Sequence, residues 1–295
     1  MREMKYSEIV SSLTKTFLNQ SDYFFDKHVP EFIKDDVFLG DYFNQLAVEP
    51  RGDMPPRFYH TFSPFDVISN KAPHHAVVFE NGKIVLNIDF DIYVALRTAA
   101  MSAVLLKAMG YYSLKKKNVL LFGSGRIAQQ SVKILASELD MKSVDVITRS
   151  NDLSGIKAAV DNVSIENGSI DEIAKYDIII CHTQTTSPVI EKKQLEKIKK
   201  GAVLLSFISS TDHGELPDEV YDRSKANVIT DWQQTISGAK DLKRAVESNL
   251  LSEENLIYIK DLLSGSKINQ EKQYTVYRST GTPIQNLAVL KLLVG

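Results

Sequence analysis

A glycine-rich turn, GSGRIA, constrains the fold of this 295-residue chain more than any other feature. It has the pattern G-x-G-x-x-A and stands between a strand-like apolar run, Asn118–Phe122, and a helix-like run, Ile127–Leu139. A strand before and a helix after are the context that a dinucleotide-binding turn requires. Gly123 permits a tight turn, Gly125 lets a pyrophosphate approach the backbone, and Ala128 lets the helix pack closely on the strand. We therefore predict a dinucleotide site here, with an ordinary turn between strand and helix as the alternative.

The end of the next strand-like run indicates which dinucleotide is preferred. An acid at this position binds the ribose hydroxyls of NAD, but Asp145 lies too early, inside the strand. Thr148, Arg149 and Ser150 occupy the turn instead. Two hydroxyls beside an arginine suit a 2′-phosphate, so we expect NADP(H) to be preferred over NAD(H); alternatively, Arg149 points into solvent. Thr183 follows a third strand and is expected to touch the cofactor, because loops beyond the carboxyl ends of parallel strands line the ligand crevice. The expected cofactor-binding residues are Gly123, Ser124, Gly125, Arg126, Ile127, Ala128, Thr148, Arg149, Ser150 and Thr183.

Strand-like and helix-like runs alternate from about residue 114 onward. This alternation predicts right-handed β-α-β units and a parallel sheet. Strands are expected at 118–122, 143–148, 177–181, 202–208 and 227–230, and helical segments at 127–139, 155–160, 171–175, 192–199 and 251–263. A final apolar segment covers Ile284–Val294.

The part of the chain before residue 114 follows a different pattern. Apolar spacing predicts a helix over Lys5–Leu18, and the rest of the first 50 residues reads as helix and loop. Prolines make residues 51–70 turn-rich. Asn81 and Gly82 between two β-branched runs predict a hairpin. The long run Asp89–Met109 then predicts a single helix.

Composition excludes several classes of function. Lys and Arg total 35 against 37 for Asp and Glu, a net charge of -2, which removes the electrostatic argument for nucleic acid or an anionic membrane surface. The single cysteine, Cys181, excludes a disulfide framework and a cysteine-rich zinc site, and no metal site is expected. The start of the chain has no apolar signal region, and no apolar run approaches the roughly 18 residues that span a bilayer. We expect a soluble, cytoplasmic protein.

Several motifs in a fixed order resemble one known family. They are LRTAA (Leu96–Ala100), GSGRIA, TTSPVI (Thr185–Ile190), KKGAVLLSFISS (Lys199–Ser210), VITDW (Val228–Trp232) and STGTPIQNLAVLKLL (Ser279–Leu293). As a set they resemble the ornithine cyclodeaminase/μ-crystallin family. The resemblance implies an α/β fold in which a Rossmann-type doubly wound parallel sheet, residues 114–271, is inserted into a second α+β domain for dimerisation and substrate binding, residues 1–113 plus 272–295. It also implies a homodimer.

The chemistry that the resemblance implies is hydride transfer between NAD(P) and the carbon of a C–N bond, in an imine or amino-acid substrate, beside a carboxylate. Family roles assign the carboxylate to Arg97, with Arg57 and Lys71 assisting, because a guanidinium fork matches a carboxylate. Lys71 would also exchange protons with the substrate nitrogen, and Asp212 stands near the family's catalytic aspartate. The expected catalytic residues are Lys71, Arg97 and Asp212. The alternatives are an ordinary helix-surface arginine and a solvated loop lysine.

Departures from the family pattern keep other functions open. Ser209–Leu216 is contracted relative to the segment that carries the aspartate of true cyclodeaminases, and no acid ends the second strand. Both features count against an ornithine-type cyclodeaminase with bound NAD. Asn286 replaces the family's usual aspartate, and the shortened substrate segments leave open a non-catalytic binding protein of the μ-crystallin kind. His74 and His75 are acid–base candidates or structural histidines. VITDWQQ most resembles the branch that oxidises opine-like secondary amines.

Overall fold

A computed structural model describes residues 4–28, 41–64, 74–183, 185, 187–207, 214–233 and 235–295. The chain divides into two compact units: one comprises Met1–Thr98 with Thr282–Gly295, and the other comprises Ala99–Gly281. The second unit is thus inserted into the first in chain order. The boundaries predicted from the sequence, near residues 114 and 271, stay a prediction.

The helices and strands have the following bounds. The helices are α1 (Tyr6–Leu18), α2 (Asp91–Ala108), α3 (Arg126–Leu139), α4 (Ser154–Lys157), α5 (Lys192–Leu195), α6 (Thr235–Gly238), α7 (Lys240–Glu247), α8 (Ile259–Leu263) and α9 (Pro283–Val294). The strands are β1 (Phe24–His28), β2 (Asp41–Arg51), β3 (Met54–Pro64), β4 (His75–Glu80), β5 (Lys83–Asp89), β6 (Val119–Phe122), β7 (Ser143–Ile147), β8 (Ser164–Asn167), β9 (Ile178–Cys181), β10 (Ala202–Ser206), β11 (Ala226–Thr230), β12 (Leu256–Tyr258) and β13 (Tyr274–Arg278).

The first unit is built on an antiparallel sheet in the order β1-β2-β3-β4-β5. Helix α9 packs against β1, β2 and β3, and α1 packs against α9. The hydroxyl of Ser12 donates to the carbonyl of Ala288 at 2.7 Å, which ties the two helices together. Most of α9 is buried, including its polar residues Gln285 and Asn286, and a helix that is apolar on most sides is stable only when it is covered.

The hairpin that Asn81 and Gly82 predict is confirmed, since these two residues form the turn between β4 and β5. Their φ angles are 51° and 73°. Two positive φ angles in a two-residue loop match the twist of the flanking strands. The predicted long helix is confirmed as α2.

The helix predicted over Lys5–Leu18 is confirmed as α1, but the prediction of helix and loop over the rest of the first 50 residues, and of turns over 51–70, is wrong for most of the described residues. Strands β1, β2 and β3 lie there. Pro55 and Pro56 are compatible with β3 because they fall at a register shift, between the pair Glu49 and Arg57 and the pair Arg51 and Met54. The pairing of β3 with β4 begins only at residue 58. Proline is tolerated where a strand lacks regular ladder hydrogen bonds.

The second unit contains a parallel sheet in the order β12-β11-β13-β10-β9-β6-β7-β8. The chain moves outward from β6 through β7 to β8, then returns to pair β9 with the other side of β6. This reversal is the switch point at which doubly wound sheets bind ligands. The predicted fold class is confirmed: a doubly wound parallel sheet accompanies a separate antiparallel sheet with helices.

Several elements of the second unit differ from the sequence prediction. Leu251–Leu263 is not one helix, because it contains the edge strand β12 followed by α8. Strands β8 and β13 and helix α7 were not predicted. β13 lies between β10 and β11 and is buried at every residue. Arg278 explains why this strand was not predicted. An arginine in a strand usually indicates an exposed position, because a charged side chain is buried only when it has a partner.

A search of the described helices finds none with the length and apolar character needed to cross a membrane. The expected cytoplasmic location stays a prediction.

Candidate functional site

The glycine-rich turn begins where β6 ends, and its first glycine is sterically required. Gly123 has a φ of 105°. A Cβ atom there would lie 2.2 Å from the carbonyl oxygen of His182, which follows β9. The N–H of Gly123 donates to the carbonyl of Ile147 at 2.9 Å. The turn is therefore pressed between the ends of β7 and β9, and only glycine fits.

The second glycine of the turn leaves open space. Gly125 is the N-cap of α3, with a φ of -70°, and a Cβ atom built on it would meet no atom within 4 Å. Ala128 is fully buried against the sheet. The first turn of a helix carries N–H groups without intrahelical acceptors, and such groups bind phosphate. The space beside Gly125 is compatible with the approach of a pyrophosphate, and the predicted dinucleotide contact stays a prediction.

The turn after β7 carries the residues expected to discriminate between dinucleotides. Arg149 and Ser150 are exposed and Thr148 is half-buried. The Oγ1 atom of Thr148 is buried and has no hydrogen-bond partner among the described residues. Buried hydroxyls are normally satisfied, so this atom suits a hydrogen bond to a ligand. The donor set fits the adenosine half of a dinucleotide.

Asp145, the acid nearest this turn, has other partners. It accepts a hydrogen bond from the hydroxyl of Tyr176 at 2.8 Å and forms an ion pair with Lys175 at 2.9 Å. Burial, together with Asp145, raises the pKa of Tyr176 to about 12. Asp145 is thus bound to Tyr176 and Lys175, and its exclusion as a ribose-binding acid stays a prediction.

Thr183, the predicted cofactor contact beyond β9, is held by a buried acid. The backbone N–H of Thr183 donates to Oε1 of Glu215 at 2.6 Å, and its hydroxyl donates to the same oxygen at 2.8 Å. Oε2 of Glu215 accepts from the hydroxyl of Ser206 at 2.9 Å and from the N–H of Phe207 at 3.0 Å. Burial raises the pKa of Glu215, while these hydrogen bonds favour its charged form. The acid joins the carboxyl ends of β9 and β10.

His182 lies between the glycine turn and this acid. Its Nε2 atom is 2.6 Å from the hydroxyl of Ser131 on α3, and its ring lies 4.8 Å from that of Phe207. Burial lowers the pKa of His182 to about 3, so the ring is neutral near pH 7. The adjacent Cys181 is fully buried, and burial raises the pKa of its thiol. Neither group has the properties of a nucleophile–base pair.

A buried ion pair, Arg278 with Asp241, lies at the carboxyl end of β13. Arg278 donates from Nε and Nη2 to the carboxylate of Asp241 at 2.9 and 3.1 Å, and Tyr221 donates to it at 2.7 Å. Burial alone would raise the pKa of Asp241, but the charge and hydrogen bonds of Arg278 outweigh it and lower that pKa. A Cβ atom at Gly214 would lie 2.2 Å from this carboxylate. Gly214, the residue before Glu215, therefore packs directly against Asp241, with no room for a side chain.

A third buried carboxylate, Asp231, lies just beyond β11. It accepts hydrogen bonds from the hydroxyl of Tyr277 and from that of Ser279, the latter at 2.5 Å. Tyr277 also packs edge-on against Phe207, with ring centroids 5.5 Å apart. These contacts fix the ends of β10, β11 and β13 relative to one another.

In the first unit, Arg97 is buried, with only 5% of its surface exposed. Its Nε donates to Oδ1 of Asn286 at 3.1 Å, and its Nη1 donates to Oε1 of Gln285 at 2.5 Å. The Nδ2 of Asn286 donates in turn to Gln45 at 2.8 Å and to Thr61 at 2.9 Å. The alternative of a helix-surface arginine is therefore excluded by the structure.

Arg57, on strand β3 of the antiparallel sheet, has other partners. Its Nη2 donates to Glu80 at 2.8 Å, and its Nη1 lies 3.4 Å from the hydroxyl of Tyr59. Arg57 and Thr61 are four residues apart on β3, or about 13 Å at roughly 3.3 Å per residue. The structure thus does not bring Arg57 to the group that holds Arg97. The other two predicted site residues, Lys71 and Asp212, lie outside the described residues.

The paired histidines precede β4 and begin it. Nδ1 of His74 lies 2.9 Å from Oδ1 of Asp91, and the backbone N–H of His74 donates to the same oxygen. His75 pairs with Asp89 across the hairpin. Within the described ranges, no group of three or more His, Cys, Asp or Glu side chains is arranged to hold a metal ion.

Sequence reasoning missed Glu215, Asp231, Asp241 and Gln285 as site-supporting residues. One available signal was the position of Glu215, three residues after Asp212 in the segment Ser209–Leu216. The others carry no local pattern, because their partners are distant in sequence.

Comparison with known proteins decides the family. The model of the "Ornithine cyclodeaminase/mu-crystallin family" matches residues 73–294. The chain belongs to this family. Among curated relatives, the ketimine reductase mu-crystallin of Macropus fuliginosus is 25% identical over 244 residues, which is 80% of this chain and 73% of that protein. A glutamyl-tRNA reductase of Methanococcus aeolicus is 28% identical over 171 residues; the match covers 56% of this chain and only 44% of that enzyme's length.

Solved structures share the fold of this member of the ornithine cyclodeaminase/mu-crystallin family. A probable ornithine cyclodeaminase from Bordetella pertussis has a TM-score of 0.75 at 18% identity, covering 97% of this chain and 91% of that one. An archaeal alanine dehydrogenase dimer with bound NAD has a TM-score of 0.76 at 18% identity, covering 99% and 91%. The iminosuccinate reductase of Paracoccus denitrificans, solved with NAD+, has a TM-score of 0.74 at 16% identity, covering 99% and 91%.

Proposed function

We propose that the chain is an NAD(P)-dependent oxidoreductase that transfers a hydride at the C–N bond of an imine or amino-acid substrate, next to a carboxylate. The observation that carries this proposal is the buried Arg97 held by two side-chain amides, in a chain whose glycine turn leaves space for a dinucleotide. Family membership supports it, since relatives include a ketimine reductase. A buried guanidinium is a strong and specific partner for a carboxylate.

The role of Arg97 is orientation. Asn286 and Gln285 hold the guanidinium at two separate nitrogens, Nε and Nη1, and so fix its plane. A carboxylate bound to a fixed fork has its α-carbon placed in one position, and such positioning lowers the barrier of the chemical step. The nicotinamide cofactor supplies the hydride when it is bound. We assign proton exchange at the substrate nitrogen to Lys71, as the family resemblance implies.

NADP(H) is the proposed cofactor of choice. The support is the exposed Arg149 beside the hydroxyls of Thr148 and Ser150, one of which is buried without a partner among the described residues. An arginine and hydroxyls bind a phosphate through charge-assisted hydrogen bonds.

A homodimer is the proposed assembly. On the face of the antiparallel sheet opposite α9, five apolar residues at paired positions on neighbouring strands form a continuous row. It consists of Phe24, Val48, Phe58, Phe79 and Ile84. Phe24 is 70% exposed and Ile84 58% exposed, and monomeric proteins seldom leave such a patch uncovered. A second copy of the chain is the proposed cover.

Light scattering tests the dimer. The wild type should have twice the chain mass, and the double substitution Phe58→Lys with Ile84→Lys should give single chains. Tyr112→Lys is the matched control, because Tyr112 is exposed but lies outside the sheet. A wild type that is monomeric at all concentrations would refute the assembly.

The catalytic proposal is tested by binding and then by turnover. The purified protein is titrated with NADPH and with NADH while nicotinamide fluorescence is followed, and cyclic imine carboxylates, and α-keto acids with amines, are then screened for loss of nicotinamide absorbance. Arg97→Ala should lower kcat/KM about ten- to hundredfold or more and leave cofactor affinity unchanged. Lys107→Ala on the same helix is the control.

Three outcomes would overturn the proposal. Full activity of Arg97→Ala removes the carboxylate role, and absence of cofactor binding by folded protein favours a non-catalytic function. Release of ammonia from ornithine with no net change in nicotinamide absorbance replaces the proposal by cyclodeamination.

A further inference from the structure

The hydrogen-bonding capacity of Thr183 is unusually restricted. Its side-chain hydroxyl and backbone N–H are its two donors, and both point to the single oxygen Oε1 of Glu215, at 2.8 and 2.6 Å. The groups of Thr183 that are left for a ligand are acceptors, the lone pairs of the hydroxyl oxygen and the carbonyl oxygen. The residue can therefore accept a hydrogen bond from a ligand, but it has no donor to offer one.

The acid that imposes this restriction is rigidly held. Glu215 is fully buried, and its second oxygen accepts from Ser206 and Phe207 at 2.9 and 3.0 Å. Its own backbone carbonyl accepts from Val189 at 2.8 Å. A buried carboxylate is stable only when it is well satisfied, and here donors from the ends of β9 and β10 meet that demand. The arrangement cannot rotate to release Thr183 without leaving buried groups unpaired.

The position of Thr183 indicates which part of a dinucleotide it meets. The glycine turn follows β6, and the residues expected to bind the adenosine ribose follow β7, on one side of the switch point. Thr183 follows β9, on the other side. A dinucleotide lies across this point with one mononucleotide over each half of the sheet. Thr183 therefore faces the nicotinamide half.

We propose that Glu215 is a positioning residue that makes Thr183 an acceptor-only contact for a donor on the nicotinamide half of the cofactor. Two donors of that half have the required chemistry, the carboxamide NH2 group and the ribose hydroxyls. This inference rests on the proposed function, because it presumes that the dinucleotide binds.

The first test is Thr183→Val, which removes the hydroxyl at nearly constant shape and keeps the backbone N–H bond to Glu215. We expect NADH or NADPH, whichever the wild type binds, to bind about three- to tenfold more weakly, as for the loss of one hydrogen bond. The affinity for ADP, which lacks the nicotinamide half, should be unchanged. Thr183→Ser should restore the affinity to within about twofold of the wild type. Thr275→Val is the matched control, since Thr275 is a buried threonine at the amino end of β13.

A cofactor analogue separates the two donors. The acetylpyridine analogue of the dinucleotide has a methyl ketone in place of the carboxamide and keeps both riboses. If Thr183→Val weakens the natural cofactor but not the analogue, the carboxamide is the donor. If both are weakened equally, the donor is a ribose hydroxyl. Either result supports the acceptor role.

The role of Glu215 is tested by Glu215→Gln. The glutamine amide has one acceptor oxygen and one NH2 donor. The NH2 group would face the N–H of either Thr183 or Phe207, and because both partners are donors, one hydrogen bond would be lost. We expect faster hydrogen exchange at the Thr183 amide and weaker cofactor binding, with ADP affinity retained. If this variant does not fold, Thr183→Val alone carries the test.

The outcomes distinguish the two levels of inference. If the wild type and Thr183→Val bind the cofactor equally well, the acceptor contact is overturned and the proposed function is left intact. An equal loss of ADP affinity also overturns it, because the contact would not be with the nicotinamide half. Wild type that binds neither dinucleotide overturns both proposals.

Discussion

Asn286 connects Arg97 to the antiparallel sheet by using both ends of its amide group. Its oxygen accepts from Nε of Arg97 at 3.1 Å, while its nitrogen donates to Gln45 at 2.8 Å and to Thr61 at 2.9 Å. An aspartate, the usual residue of the family motif, could accept but not donate. The amide therefore makes contacts that a carboxylate could make only if Gln45 and Thr61 turned to become donors.

Replacing this amide tests its structural weight. Asn286→Leu should lower the free energy of unfolding by about 2–4 kcal/mol, because it removes one buried hydrogen bond each from Arg97, Gln45 and Thr61, at about 1 kcal/mol per bond. Asn286→Asp should lose less, since it keeps the bond to Arg97, and it should raise KM, since its charge competes with a substrate carboxylate. Urea unfolding and steady-state kinetics measure the two effects. Equal stability of the leucine variant and the wild type would contradict the network.

The two glycines of the turn should respond differently to substitution. Gly123→Ala should destabilise the fold, because a non-glycine residue at positive φ costs about 1–3 kcal/mol and its Cβ would also meet the carbonyl of His182. Gly125→Val should leave the melting temperature within about 2 °C and abolish cofactor binding, since its side chain would occupy the open space. Thermal melts and fluorescence titration check both. Cofactor binding by Gly125→Val with wild-type affinity would place the dinucleotide elsewhere.

Arg149 should discriminate between the two dinucleotides. Arg149→Ala should weaken NADPH by about tenfold and change NADH by no more than about twofold, because only NADPH carries a 2′-phosphate for a charge-assisted hydrogen bond. Lys142→Ala is the control, since Lys142 is an exposed cation at the opposite end of β7. An equal loss for NADPH and NADH would show that Arg149 does not read the phosphate.

His182 should make the stability of the protein fall with falling pH. Its pKa is lowered by burial to about 3 in the folded state, against about 6.5 in the unfolded chain. Between these values the unfolded state binds a proton that the folded state does not, so stability is lost as the pH falls from about 6.5 towards 3. At pH 5 the loss should be about 1–2 kcal/mol.

Denaturant unfolding of wild type and His182→Gln between pH 7 and pH 5 measures this contribution. The variant should lose less stability over that range than the wild type. Ser131→Ala, which removes the partner of Nε2 but keeps the ring, should retain the wild-type dependence on pH. Parallel profiles for His182→Gln and the wild type would show that the histidine is not the titrating group.

Local patterns predicted the parts of the fold that depend on neighbouring residues. The positive φ angles of Asn81 and Gly82, the required glycine at 123 and the long helix α2 all follow from short-range sterics and apolar spacing. Strand β3 was not predicted because it accommodates Pro55 and Pro56 at a register shift, which no local rule indicates. β13 was not predicted because Arg278 is buried through its ion pair with Asp241.

The candidate site shows the same division. Local patterns in the sequence predicted the glycine turn and the alternating strands and helices around it, and the family resemblance indicated Arg97 as a candidate. The partners that hold these groups became visible only in the folded chain. Asn286 is 189 residues from Arg97, and Glu215 is 32 residues from Thr183. The sequence pattern records which conformations a segment favours, whereas a buried polar group acquires its partner only when folding excludes water and brings distant donors and acceptors within reach.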